Sequence, residues 1–189
     1  MGHMSLVIFV VGWLTAANVC SQTVKTDLAI KDVDGKSIKP FPAAKPSVLF
    51  FTTYDCPVAN KMVPEIRRIA NNYQDKVKFI LVYTDPDTSK KELTTHRKDF
   101  SLNEITSVLD TKHHLVKATG AEITPEAAIV NKGKVLYRGR INNFYEDFGK
   151  PRRVITQHDL RNAIEAVLAG KKVPQPRGEC IGCYIQKLK

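Results

Sequence analysis

Residues 47–64 read Ser-Val-Leu-Phe-Phe-Thr-Thr-Tyr-Asp-Cys-Pro-Val-Ala-Asn-Lys-Met-Val-Pro, and they restrict the fold more than any other stretch. Residues 48–51 are an unbroken apolar run, the pattern of a strand covered on both faces. Beyond them the period changes. Val58, Ala59, Met62, Val63, Ile66, Ile69, Ala70 and Tyr73 recur at helical spacing. A buried strand therefore runs directly into a helix, with Cys56 at the junction. The first N–H groups of a helix have no intrahelical partner, and the positive pole of its dipole favours a thiolate there. Pro57 suits the first helical turn, where its missing N–H costs nothing. The plainer alternative is a buried structural cysteine.

The rest of the chain alternates in the same way. Leu28-Ala-Ile-Lys-Asp-Val and Ser37-Ile-Lys flank the hairpin signal Asp34-Gly35. Residues 77–83 form a second buried strand, and Thr88 or Ser89 can cap a helix reaching Phe100. A short strand at 107–110 and a short helix near 113–119 follow. Residues 126–130 and 134–141 flank a turn at Asn131-Lys-Gly133, which predicts a hairpin. An irregular loop at 142–155 carries Phe144, Tyr145 and Phe148. Thr156 with Asp159 has capping-box spacing before a last helix, whose face is Leu160, Ala163, Ile164, Val167 and Leu168, stopped by Gly170. The expected fold class is α/β, a central mixed β-sheet flanked by helices with a C-terminal extension. In such sheets Cys56 would lie at the carboxyl end of a central strand, where sites are built.

Three segments are expected. Residues 1–22 hold an expression scar, Met1-Gly-His-Met4, and a leader whose apolar core at 6–17 is shorter than the roughly 20 residues a membrane span needs. Cleavage near Ser21 and export to the periplasm or outside the cell fit better than lipoprotein anchoring through Cys20. Residues 23–170 are the folded domain. Residues 171–189 are a basic tail with Pro174 and Pro176, expected to be extended and mobile. The net charge of +10 comes from Lys and Arg scattered over helices, turns and the tail. No recognition motif or aromatic-interleaved basic stripe accompanies them, so nucleic acid is not an expected partner. Peripheral attraction to anionic membranes is compatible with the charge. Four cysteines, Cys20, Cys56, Cys180 and Cys183, are too few for a disulfide scaffold.

The stretch at 24–170 resembles the thioredoxin-fold redoxins, a superfamily of thioredoxin-like reductases and AhpC/TSA-type peroxiredoxins. Three features carry the resemblance: the junction cysteine followed by Pro64, the Thr-x-x-Cys pattern from Thr53 to Cys56, and Thr124-Pro125 before the predicted hairpin. The segment from Ile123 to the C-terminal Gly-Cys resembles exported bacterial redoxin-domain proteins. The resemblance implies a cis peptide bond before Pro125, facing Cys56, and a role in cell redox homeostasis. Two departures stand out. Ala59 replaces the second cysteine of a Cys-x-x-Cys, so Cys56 has no local partner. Leu49 and Thr124 stand where peroxiredoxins carry a proline and an arginine; Arg138 or Arg140 would have to substitute. Asp55 also opposes a thiolate, since a neighbouring carboxylate disfavours it.

A nucleophilic cysteine needs a second thiol to resolve a mixed disulfide or sulfenic acid. Cys180 and Cys183 are the candidates, Cys183 preferred. Closing so long a loop adds only about 0.6 kcal/mol per doubling of length. The other readings of this Cys-x-x-Cys are a local disulfide or half a zinc site. His96, His113, His114 and His158 read as polar surface, although one of them beside Cys56 would make a copper or zinc ligand set. No cofactor or resident metal is expected. The function expected first is thiol–disulfide exchange at Cys56, with Cys183 or Cys180, Thr53, Thr124 and Pro125 around it. The substrate would be a protein thiol or disulfide, and an electron donor must exist. The alternatives are an antioxidant thiol peroxidase acting on peroxide, or a non-enzymatic scaffold binding a partner or metal through the 142–155 loop.

Overall fold

The structure is a computed structural model that describes residues 22–188. The leader at 6–17 and Cys20 lie outside the described residues. In chain order the elements are β1 (Ile30–Lys31), β2 (Ser37–Ile38), β3 (Ser47–Thr52), α1 (Pro57–Tyr73), β4 (Lys78–Tyr83), α2 (Lys90–Asp99), β5 (Thr106–Leu109) and α3 (His114–Thr119). Then come β6 (Ile123–Thr124), β7 (Glu126–Asn131), β8 (Lys134–Gly139), β9 (Tyr145–Asp147), β10 (Lys150–Pro151), α4 (Asp159–Leu168) and β11 (Cys183–Tyr184). The main sheet runs β5-β4-β3-β7-β8. β3, β4 and β5 are mutually parallel, while β7 is antiparallel to both β3 and β8. This is the mixed, helix-flanked α/β sheet expected from the sequence.

Every residue of β3 is buried, and its side chains alternate between two cores. Val48 and Phe50 join Met62, Ile66 and Ile69 of α1, Leu93 of α2, and Leu160 and Ile164 of α4. Leu49 and Phe51 point the other way, into a core closed by Leu115 and Val116 of α3, with Leu28, Ile30 and Ile38 of the N-terminal hairpin packed against it. That two-sided covering is why the 48–51 run shows no polar alternation. Phe50 stacks on Phe79 with ring centroids 6.0 Å apart. Glu65 pins α1 to α4 by accepting from Arg161 at 2.7 Å, and it also accepts from Arg68 at 2.9 Å. The β7–β8 turn puts Lys132 and Gly133 at φ of +48° and +74°, which a β-branched residue would not tolerate. Ser89 caps α2 in a full capping box with Glu92.

Three expectations are corrected. The tail is not free: the Arg138 N–H donates to the Pro176 carbonyl, the Gly178 N–H donates to the Arg138 carbonyl, and β11 pairs antiparallel with β6. Backbone groups of two strands hold it, which composition does not reveal. The loop at 142–155 contains the β9–β10 hairpin. Thr156 and Asp159 form no capping box. The N-cap of α4 is His158, with no side-chain cap bond, because the Thr156 hydroxyl accepts from Asn143 and Asp159 is ion-paired with Arg140 at 3.0 Å. Among the described residues, no helix is long and apolar enough to cross a membrane.

Candidate active site

Cys56 caps α1. Its extended backbone, φ −74° and ψ 111°, turns the sulfur back over the first helical turn, where it accepts the Ala59 N–H at 3.5 Å. Pro57 begins the helix, and Pro64 lies within it without a donor for the Asn60 carbonyl. The remaining contacts of Cys56 come from far along the chain. Its S–H donates to the Thr124 carbonyl at 3.3 Å, and its sulfur lies 2.7 Å from that of Cys183, 127 residues away in sequence. Either sulfur can supply the proton between them. Burial raises the Cys183 thiol to about 12, helped by Cys56 and by the carboxylate of Asp55.

The Thr124–Pro125 bond is cis. Thr124 is fully buried, and its hydroxyl donates to the Cys183 carbonyl at 3.4 Å. Glu126, directly after the proline, accepts the Glu122 and Ile123 N–H groups at 2.7 and 3.2 Å and pairs with Arg138 at 3.3 Å. A single buried carboxylate thus fixes the start of β6, through the N–H groups of Glu122 and Ile123, and the arginine whose backbone holds the tail. Burial pushes this carboxyl above its usual value, an effect opposed by those two N–H groups and by Arg138. Thr53, Asp55, Cys56, Asp85, Cys183, Tyr184 and Gln186 line an adjoining cavity of about 200 Å³. Tyr145 of β9 and Cys183 both pack against the small buried cluster of Cys56, Val58 and Ala59.

The structure therefore brings Cys56, Cys183, Thr124, Pro125 and Thr53 to one place. Cys180 is elsewhere. Its thiol faces the Gly178 carbonyl at 3.8 Å, and burial, then the charge of Glu126, push it well above the ordinary thiol value. Arg138 and Arg140 are committed to Glu126, Glu122 and Asp159. Among the described residues, no group of three or more His, Cys, Asp and Glu side chains is arranged to hold a metal ion.

Sequence reasoning missed a polar strut behind the cysteine loop. Asn60, on the first turns of α1, donates to the Tyr54 carbonyl at 3.0 Å, so its amide oxygen faces His96 Nε2 at 2.9 Å and receives that proton. His96 Nδ1 then accepts from the Tyr83 hydroxyl at 2.8 Å. The neutral ring satisfies both partners, and burial holds His96 below its usual 6.5. The unfolded chain binds that proton more readily than the folded one. The stability contributed is thus present above about pH 6.5 and lost as pH falls through the lower folded value. We expect the urea midpoint to drop between pH 7.5 and 5, and to drop less in His96→Gln. Equal drops would exclude the strut as the titrating group.

The sequence matches the family profile described as Redoxin over residues 18–146, more than half of its length. The chain belongs to the redoxin family. A search of curated proteins finds no relative of this redoxin. Among solved structures, it resembles an uncharacterized conserved protein of Geobacillus kaustophilus, with 23% identity and a TM-score of 0.71, over 88% of this chain and 92% of the other. A hypothetical protein of Sinorhizobium meliloti matches with 21% identity and a TM-score of 0.75, over 90% and 96% of the two chains. StoA of Bacillus subtilis matches with 23% identity and a TM-score of 0.52, over 59% of this chain and 84% of its own. These likenesses place the redoxin in the thioredoxin fold.

Proposed function

We propose that this redoxin is a thiol–disulfide oxidoreductase in which Cys56 is the nucleophile and Cys183 resolves the intermediate. The 2.7 Å approach of the two sulfurs carries the reading. The Cys56 thiolate attacks one sulfur of a substrate disulfide, and the other substrate sulfur leaves as a thiolate and takes up a proton. Cys183 loses its proton and attacks the Cys56 sulfur, releasing the second substrate thiol. Two electrons have then passed to the substrate, and the pair is left as the Cys56–Cys183 disulfide. A donor dithiol resets it, and the same steps run backwards oxidise a dithiol. Because the Cys183 thiol is raised, the resolving step accelerates with pH.

Peroxidase chemistry has weaker support. It calls for a cation beside the sulfur, and the two substitutes the sequence offered, Arg138 and Arg140, are paired with carboxylates. The leader-like run at 6–17 supports export, and a protein thiol or disulfide is the substrate class that fits an oxidoreductase of this fold. The test is reduction of insulin by the full chain with dithiothreitol as donor. Activity should be lost in Cys56→Ser and retained in Cys180→Ser. Rapid hydrogen peroxide turnover with Cys56 sulfenic acid, and no insulin reduction, would replace exchange by peroxidase. Failure with both substrates would leave the scaffold reading.

A further inference from the structure

The tail meets Cys56 in a single register. Cys183 lies opposite Thr124 and Tyr184 opposite Ile123, and the Ile185 N–H extends the pairing to the Glu122 carbonyl at 2.9 Å. Thr124 serves both sides of the contact, with its hydroxyl on the Cys183 carbonyl and its own carbonyl on the Cys56 thiol. In this register the residue before the incoming cysteine passes very close to that carbonyl. A Cβ at Gly182 would lie 2.1 Å from the Thr124 oxygen, 2.8 Å from its carbon and 3.0 Å from Ile123 Cγ2. The two nearest atoms are backbone. They cannot step aside, because Glu126 anchors the Glu122 and Ile123 N–H groups and Pro125 follows directly. After the cysteine the demands alternate. Tyr184 is 86% exposed, whereas Ile185 packs against the core beneath α3.

We infer that the β6 edge and Cys56 together select an extended polypeptide with glycine immediately before the reacting cysteine and an apolar residue two places after it. The protein's own tail is the tethered occupant of that site. This rests on exchange at Cys56 and specifies its substrate. Any cysteine presented in this register meets the same Thr124 carbonyl, so a side chain at the preceding position must either push the strand off the edge or carry the sulfur away from Cys56. The tether keeps the tail at a high local concentration, so a foreign segment enters only when the tail has left.

The test uses the full chain with Cys56 as sole thiol, Cys20→Ser/Cys180→Ser/Cys183→Ser, with and without Gly182→Val to displace the tail. Peptides with the cores Gly-Cys-Tyr-Ile, Val-Cys-Tyr-Ile and Gly-Cys-Tyr-Lys are supplied as mixed disulfides with thionitrobenzoate, and chromophore release is timed. In the displaced-tail protein the glycine peptide should react about ten- to hundredfold faster than the valine peptide, the discrimination expected of a backbone clash. The lysine peptide should fall between them, and retaining Gly182 should slow all three. Equal rates for the glycine and valine peptides would overturn the inference. The symmetric small disulfide of the same chromophore separates the two failures. If Cys56 attacks it without discriminating the peptides, only the selectivity is lost; if Cys56 is inert to it, the exchange reading falls and the selectivity with it.

Discussion

Oxidation of the reduced protein should raise its stability by about 4–5 kcal/mol, the chain-entropy value for a crosslink enclosing roughly 100 residues. Cys56 and Cys183 are 127 residues apart, so a bond between them closes everything from α1 to β11 into one loop. The native state needs little rearrangement to accept it, because the sulfurs already touch and the tail is already paired to β6. The gain therefore comes from the unfolded chain losing freedom. In a domain of this size it should lift the melting temperature by roughly 10–20 °C. The measurement compares thermal unfolding of the reduced and oxidised protein. Cys180→Ser should keep the difference and Cys183→Ser should abolish it. A difference that survives Cys183→Ser and vanishes in Cys180→Ser would move the resolving role to Cys180.

Phe50→Ala should cost about 3–5 kcal/mol, the usual range for emptying a buried aromatic site. Phe50 lies at the middle of β3, is 1% exposed, stacks on Phe79 and shares a core with Met62, Ile66 and Ile129. Its neighbours in the sheet are held by ladder bonds on both sides, to β4 and to β7, so they cannot close over the space. Chemical denaturation of the reduced protein reads the loss directly. Phe148→Ala is the matched control, since Phe148 is 61% exposed and its removal should leave the midpoint nearly unchanged. A cost below about 1 kcal/mol at Phe50 would mean the core beneath α1 collapses freely, against the close packing of protein interiors.

The strand–cysteine–helix junction was legible because its two periods are local and strong. Residues 48–51 are buried on both faces, and α1 buries the residues whose spacing marked it apart from Tyr73, which is half-buried. The 132–133 turn and the Ser89 cap were legible for the same reason, as each is set by a few neighbouring residues. The site was less so. Cys56 and Thr124-Pro125 stood out, but the docked tail did not. A two-residue strand has no periodicity; β11 bonds to the backbone of β6, and Pro176 and Gly178 to that of β8, none of which leaves a side-chain signature. Lysines and two prolines then read as a mobile segment. Thr156 and Asp159 have the spacing of a capping box, yet Asn143 and Arg140 claim their side chains first. Gly182 shows its purpose only once the register of β11 is known.

The chain ends also change how the molecule meets its neighbours in a crowded solution. A sheet with an open outer strand offers other polypeptides a row of unpaired N–H and C=O groups, and so a template for aggregation. Here β8 is covered twice, by residues 22–24 through Val24 on Gly133 and Val135 on Gln22, and by residues 176–178 around Arg138. At the opposite margin β5 is only four residues long, and the Val33 N–H from the first hairpin already takes the Ser107 carbonyl. The N-terminal residues and the tail thus shield the margins of the sheet. A chain trimmed at either end would carry a stickier border.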